Sequence, residues 1–459
     1  MSAIGLGGAV AWQAEAAGPA QPAPVGAGPG GLAVAGPPAL AALPAGAAVP
    51  TGTALAARLD QIVQGPAGTQ IAAAVTDVAT GRLVYGRSQT LLMPPASTIK
   101  IATAVAALER MPGTTRFATT VVQAPGTDRI VLVGGGDVTL SSNGASPDPD
   151  FQPTLLQTLV DQTAAALKAA GRTSVSVGYD DSAFAAPAQA ASWSSSYTNG
   201  DIAPVHALEV DEGRTDPLST YSAREPNPAL SAAQLFAQRL AADGITVTGA
   251  VTATAAPTEA TAAAAPGRTT PAGSAKPLAR VFSPPLDELI DHMLTVSDDD
   301  VAEALGHLTA RAAGQPASFT GATTSTAAEL QQLGLGPDAV QLYDNSGLSH
   351  QDRITPAGLT TLLTQVAGPG HPELRDIVGG LPIAGFTGTL GTRFTGPASA
   401  GVGLVRAKTG TLTGVNTEAG LVEDADGRLL AFAVMATGAA DAEGQLDQFA
   451  AALAGCGCR

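Results

Sequence analysis

The stretch Met93-Pro94-Pro95-Ala96-Ser97-Thr98-Ile99-Lys100, with the run Ile101 to Leu108 behind it, constrains the fold more than any other. Two prolines end an extended segment, and an apolar helical run follows at once. Every residue from Ile101 to Leu108 except Thr103 is apolar or small, so this helix is expected inside the molecule. Ser97 falls in its first turn, where unpaired N–H groups and the helix dipole favour negative charge. Lys100 comes three residues later and shares a face with Ser97. A lysine at the start of a buried helix is costly unless its charge is matched or removed.

Taken alone, S-x-x-K is a weak pattern. The plain account is a serine that caps a helix and a lysine whose stem reaches out to water. The chemical account is a serine nucleophile whose proton passes to a partly desolvated lysine, because burial and a nearby cation both favour the neutral amine. Motifs further along the chain decide between the two.

The chain of 459 residues is long enough for two or three domains, and at 45% hydrophobic and 14% charged residues most of it can bury a core. A net charge of −16 and a pI of about 4.6 argue against a nucleic-acid partner, which needs a basic face. Cys456 and Cys458 are the only cysteines, so no disulfide framework holds the fold, and the single residue between them strains a mutual bridge. His206, His292, His307, His350 and His371 are scattered without metal-ligand spacing; no metal site is indicated and no cofactor is required.

Residues 1–50 form the first segment. Met1 to Trp12 is apolar but lacks a basic start and is too short to span a bilayer. It reads as the remnant of an export signal or membrane tether whose true start lies upstream, with an ordinary disordered terminus as the other account. The Ala/Pro/Gly-rich remainder to 50 reads as a disordered tether. From 51 to 114 come a helix, Ala54 to Val63, a hairpin of Gln70–Asp77 and Arg82–Tyr85, and the Ser97 helix.

The texture then changes. Residues 115–280 mix short β-rich runs with helices at Thr154 to Ala169 and Ser231 to Ala242, and read as an insertion. Gly134-Gly135-Gly136-Asp137 lacks both the G-K-[ST] and the G-x-G-x-x-G spacing, so a turn explains it better than a phosphate loop. Residues 281–459 resume the first domain. A helix through Leu286 to Thr295 ends at Ser297-Asp298-Asp299-Asp300, a run that could serve simply to cap the next helix. Three β-runs around Lys408, Asn416 to Val422 and Arg428 to Ala436 precede a closing helix from Glu443. The expected class is α/β, an α+β sandwich with helices at both chain ends against a sheet that is not a wound parallel one.

Ser97-x-x-Lys100, the triplet Ser297-Asp298-Asp299 and Lys408-Thr409-Gly410 form an ordered three-part pattern. It resembles the penicillin-recognising serine acyltransferases, and more narrowly the low-molecular-mass penicillin-binding proteins of the class C type, which are D-Ala-D-Ala carboxypeptidases and endopeptidases. Val133 to Leu140, Asp180 to Phe184, Asp344 to Ser349 and Gly388 to Phe394 are similar to stretches of that subgroup. The resemblance implies a transpeptidase-like domain, as in the serine β-lactamases, with a large mixed α/β insertion, located outside the cytoplasm in the cell envelope. It implies peptidoglycan stem peptides as substrate and β-lactams as covalent inhibitors.

On this resemblance Ser97 is the nucleophile and Lys100 its base. The N–H groups of Ser97 and Thr411 hold the oxyanion. Lys408 and Thr409 face the terminal carboxylate, Lys408 helps keep Lys100 neutral, and Ser297 relays a proton to the leaving amine. Gly410 lets the substrate backbone approach its strand. Asp180 and Phe184 are implied to help hold the third residue of the stem peptide. Asp299 departs from the S-x-N pattern: a carboxylate cannot donate to a substrate carbonyl, and an anion beside Lys100 favours the ammonium form. Asp299 is therefore expected to slow acylation. His350, where arginine is frequent in the family, and Glu418 are smaller departures. Two other functions compete: a β-lactamase, which lacks a convincing E-x-x-L-N deacylation device here, and a wall-binding scaffold that has lost turnover, supported only by Asp299.

Overall fold

The computed structural model describes residues 46–459 apart from 66–67, 124–125, 220, 257–276 and 439–441. The expected export remnant and most of the tether lie outside the described residues, as does most of the Ala/Thr/Pro-rich stretch Thr252 to Pro277, whose composition reads as a loop or a junction.

Strands β1 (Gln70–Asp77) and β2 (Arg82–Arg87) form the expected hairpin. The chain then makes the Ser97 turn and a helix over Lys100–Arg110, whose residues Lys100 to Leu108 are all buried. Next comes a second layer: β3 (Ala118–Gln123), β4 (Arg129–Val133), β5 (Ser174–Asp180), β6 (Thr246–Val247), β7 (Thr252–Ala253) and β8 (Ala279–Phe282). These strands build a sheet in the order β6-β5-β4-β3-β8, with β7 beside β5. β4, β5 and β6 run parallel, and the Leu156–Ala169 and Pro228–Ala242 helices make the crossovers that parallel strands need. The chain enters and leaves this layer at one point, where the Ser283 N–H donates to the Phe117 carbonyl at 2.8 Å and the Phe117 N–H to Ser283 Oγ at 3.0 Å.

Helices Leu286–Val296, Asp299–Ala312, Phe319–Gln332 and Pro356–Ala367 follow, with a two-stranded ribbon of β9 (Val340–Gln341) and β10 (Arg353–Ile354) between the last two. The chain returns to the first sheet as β11 (Val405–Leu412), β12 (Val415–Glu423) and β13 (Leu429–Thr437). That sheet is wholly antiparallel in the order β11-β12-β13-β1-β2, so strands from both ends of the chain pair, Gln70 with Thr437 and Asp77 with Leu430.

The sheet is buried on both faces, and the period of two along β13 explains how. Leu430, Phe432, Val434 and Ala436 face a core shared with the Gly52–Leu59 and Glu443–Ala454 helices. Ala431, Ala433 and Met435 face the opposite core, shared with the Ser97 helix and its neighbours. The first and last described segments meet where the Thr51 N–H donates to the Cys458 carbonyl at 2.8 Å. Cys456 and Cys458 are bonded to each other, the pairing their spacing argued against; their Cα atoms lie 5.0 Å apart, within the span a disulfide accepts.

The glycine run at 134–136 is a close-packing device rather than a simple turn. A side chain at Gly134 would overlap the Ala207 carbonyl, and one at Gly135 the Ala118 carbonyl.

Candidate active site

Pro95 precedes a 3₁₀ turn, Ala96–Ile99, and the α-helix proper begins only at Lys100. Ala96 has φ +46°, a strained value for a residue with a side chain. Three neighbours hold it there. Gly347, at φ +88°, leaves room for the Ala96 carbonyl, which any side chain would overlap. Thr98 Oγ1 donates to the Pro95 carbonyl at 2.7 Å, and Thr417 Oγ1 donates to the same oxygen at 2.6 Å. Ser97 is thereby presented at the edge of a cavity of about 530 Å³.

Lys100 is fully buried beneath it. Its Nζ lies 3.0 Å from Ser97 Oγ, 2.6 Å from Asp299 Oδ1 and 2.7 Å from the Ser346 carbonyl. The carboxylate and the carbonyl can only accept. A neutral amine would spend its two N–H bonds on them, leaving the lone pair for the Ser97 hydroxyl proton. The Ser346 carbonyl is fixed in turn, since the N–H groups of Asn345 and Ser346 donate to Glu303 Oε1 at 2.9 and 2.7 Å.

Ser297 and Asp299 reach the same cavity from the junction of two helices. Ser297 ends the first helix in the left-handed region at φ +65°. Asp298 caps the second, its Oδ1 accepting the Val301 N–H at 2.9 Å. Capping thus accounts for Asp298 alone, and Asp299 is left to turn toward Lys100. Burial pushes the Asp299 carboxyl up, against the pull of Lys100.

β11 forms the opposite wall, with Thr409, Gly410 and Thr411 lining the cavity. A side chain on Gly410 would lie 2.7 Å from the Ser97 N–H nitrogen and 2.9 Å from the Pro95 carbonyl, and would overlap Thr417 Oγ1. Glycine is therefore needed here so that β11 can pack on the Ser97 turn, a different reason from the substrate approach expected. Thr409 Oγ1 donates to Thr389 Oγ1 at 3.0 Å, and Thr411 Oγ1 to Glu443 Oε1 at 3.3 Å.

Lys408 departs from its expected place. It is fully buried, does not line the cavity, and its Nζ donates to the Thr409 carbonyl at 2.9 Å. Burial first, and the charge of Lys100 second, hold its amine well below the usual lysine range. Its amine lies beneath the strand, whereas Thr409 and Thr411 line the cavity.

Asp180 and Phe184 do not belong to this cavity. Asp180 ends β5, where its oxygens accept the Ser182 N–H at 2.9 Å and the Ala256 N–H at 2.6 Å, and it lines a separate cavity with Arg311 and Gln315. Phe184 is buried, with its ring 4.9 Å from that of His307. His350 is exposed, whereas Glu418 is fully buried with Arg393 3.7 Å away, and burial pushes its carboxyl well above the usual range.

Several lining residues carry no signal in the sequence. Tyr197, Asp201, Arg214, Tyr221 and Arg224 come from the inserted layer, and Arg393 comes from the loop before β11. Of these, Arg393 alone falls in a stretch similar to the family, Gly388 to Phe394. The others are lone polar residues on irregular segments, where no periodicity marks a face.

The chain matches the profile of the family described as D-Ala-D-Ala carboxypeptidase 3 (S13) over residues 55–225 and 216–454. It is 36% identical over 387 residues to a carboxypeptidase of Mycobacterium tuberculosis, covering 82% of this chain and 78% of that one. It is 35% identical over 414 residues to the carboxypeptidase DacB of Mycolicibacterium smegmatis, covering 88% and 84%. In fold it is similar to penicillin binding protein 4 of Haemophilus influenzae, with a TM-score of 0.68 at 21% identity over 87% of this chain and 97% of that one.

Proposed function

The chain belongs to the D-Ala-D-Ala carboxypeptidase 3 (S13) family, a family of serine peptidases, and on that footing we propose how its residues perform the reaction. Ser97 Oγ attacks the carbonyl carbon of the penultimate D-Ala of a peptidoglycan stem peptide, and its proton passes to Lys100 Nζ. The oxyanion accepts from the N–H groups of Ser97 and Thr411, which suit charge that develops only at this stage. Collapse breaks the C–N bond; the departing D-Ala amine takes a proton through Ser297, and the acyl group stays on Ser97. Water then attacks the ester, Lys100 again takes the proton, and Ser97 leaves as the hydroxyl.

The observation that carries this reading is the 3.0 Å separation of Lys100 Nζ and Ser97 Oγ, with Asp299 and Ser346 occupying the other two positions around the amine. Lys408 lies beneath β11, where burial first and the charge of Lys100 second hold its amine well below the usual lysine range, so it does not supply the charge expected to keep Lys100 neutral. Thr409 and Thr411 receive the terminal carboxylate. The same site accepts a cross-linked peptide, in which the leaving group is an amine on a second strand, and β-lactams acylate Ser97 in place of the peptide. The substrate places the work at the cell envelope. Among the described residues no helix is long and apolar enough to cross a membrane.

One observation favours a second reading, a cell-wall scaffold with weakened turnover: Asp299 is paired with the base instead of offering a donor to substrate. Incubation with a labelled penicillin separates the two. A stable adduct on Ser97 supports the carboxypeptidase; no adduct supports the scaffold; rapid release would instead mark a β-lactamase.

A further inference from the structure

The residues that must be aimed at Ser97 and Lys100 sit in an awkward place. Ser297 and Asp299 occupy a left-handed cap and the first position of a helix, and they flank Asp298. Three consecutive aspartates, 298 to 300, crowd this junction, and the side chains of Asp298 and Asp300 are only 2% and 3% exposed. Buried carboxylates this close repel one another unless each meets a cation.

Two arginines of the inserted layer supply those cations. Arg214 Nη2 donates to Asp298 Oδ2 at 3.2 Å, and Arg224 Nη1 lies 2.9 Å from Asp300 Oδ2. The second oxygens are spoken for too: Asp298 Oδ1 caps Val301, and Asp300 Oδ1 accepts the Ala203 N–H at 2.8 Å. The arginines are themselves fixed. Their backbones pair as an antiparallel bridge, Arg214 also pairs with Glu212, and Arg224 donates to the carbonyls of Glu212 at 2.6 Å and Asp201 at 2.9 Å. Just before Arg214 the backbone is left-handed at three residues running, Asp211, Glu212 and Gly213, at φ +54°, +55° and +64°. Strain of this kind persists only where surrounding contacts over-determine it. Asp211 Oδ1 accepts from Ser141 Oγ and the Ser142 N–H, and Glu212 meets Arg214, through which this segment reaches the aspartate run.

We propose that Arg214 and Arg224 are positioning residues: they grip the aspartates on either side of Asp299 and so aim Ser297 and Asp299 at the nucleophile and its base. The inserted layer is then part of the active site. The proposal rests on the acyl-transfer reading above.

The test is acylation by a fluorescent penicillin at several concentrations, which separates the saturating rate constant from the half-saturating concentration. Thermal melting is followed alongside. The proteins are wild type, Arg214→Gln, Arg224→Gln, the two lysine substitutions, and Asp300→Asn. The last keeps the Oδ1 acceptor for Ala203 and replaces the Oδ2 that meets Arg224 with an N–H₂ group that cannot accept from it. Each glutamine substitution is expected to lower the saturating rate constant about tenfold or more, the scale of a small misplacement of catalytic groups. The half-saturating concentration should stay within about threefold, because neither arginine is asked to bind the ligand. Lysine should recover part of the rate. If the glutamine substitutions prevent folding, Asp300→Asn carries the test and should slow acylation in the same sense. Wild-type rate constants in the glutamine and asparagine proteins overturn the proposal. So do lysine substitutions as slow as glutamine, with losses that simply follow melting temperature. A wild type that is not labelled at all sinks the acyl-transfer reading itself, and the clamp with it.

Discussion

Asp299 Oδ1 lies 2.6 Å from Lys100 Nζ, so the residue that should offer a donor to substrate is tied instead to the base. An asparagine at 299 could keep an acceptor toward Lys100 and turn an N–H₂ toward the substrate carbonyl. Asp299→Asn is expected to raise the rate of acylation by penicillin about tenfold at neutral pH, the value of one added hydrogen bond of ~1.4 kcal/mol. Burial raises the Asp299 carboxyl, and its protonated form is a donor too, so the advantage should shrink as pH falls. Rates compared from pH 5 to 8 check this; an unchanged or slower variant contradicts it.

Gly410 packs against the Ser97 turn so closely that a methyl group would lie 2.7 Å from the Ser97 nitrogen. Its obstacles are backbone atoms and the Thr417 hydroxyl, which itself bonds Pro95, and none of them can swing aside as a long side chain would. Gly410→Ala is expected to lower stability by ~1–3 kcal/mol and acylation by more than that loss alone implies, because the oxyanion donor moves with the turn. Denaturant melts and acylation rates on the same preparation separate the two effects. A variant with full activity and full stability contradicts this packing argument.

Glu303 sits behind the Ser346 loop, fully buried, with Oε2 lacking a hydrogen-bond partner among the described residues. Burial, and then the charge of Asp344, push its carboxyl up to about 8. In the unfolded chain it loses its proton near the ordinary value of 4.5. Between those values the folded protein binds more protons than the unfolded one, so this residue's share of stability falls as pH rises, by at most ~1.4 kcal/mol per pH unit. Glu303→Gln keeps an acceptor for the Asn345 and Ser346 N–H groups and has no proton to lose. Its stability relative to wild type is expected to improve by about 2–4 kcal/mol between pH 5 and 8. Chemical denaturation across that range measures the difference; a gap that does not change with pH contradicts it.

Asp180 accepts two backbone N–H groups at the end of β5 and lies outside the Ser97 cavity. Asp180→Asn is expected to leave acylation and peptide cleavage within about twofold of wild type and to lower stability by ~1–2 kcal/mol through the weakened hydrogen bonds. A selective rise in KM for stem peptides, with stability unchanged, would return this residue to substrate binding.

What could be read from the sequence was local. Ser97 and Lys100 are one turn apart, the Ile101 to Leu108 run is apolar or small but for Thr103, and β13 is apolar from Leu429 to Ala436, as a strand buried on both faces requires. The contacts that complete the site join distant parts of the chain. The Ser346 carbonyl that meets Lys100 lies 246 residues away, and nothing in a D-N-S-G stretch says which carbonyl will be used. Arg214 and Arg224 stand on an irregular segment whose conformation depends on the aspartates it grips. Asp180 and Phe184 were misplaced for a related reason: a strand end reads the same whether it opens toward one cavity or another, and here it faces Arg311 and Gln315. Lys408 stays out of the cavity that its neighbour Thr409 lines, because its full burial follows from the packing of β11 on the Ser97 turn.

The central claim is that Ser97, activated by Lys100, takes up the acyl group. Mass spectrometry of the intact protein after incubation with benzylpenicillin tests it most directly. The expected result is a mass increase of one penicilloyl group that maps to the peptide containing Ser97, is absent in Ser97→Ala, and forms at least about 10²-fold more slowly in Lys100→Met. An adduct that persists in Ser97→Ala, or a wild-type protein that remains unmodified at saturating penicillin, would contradict the account.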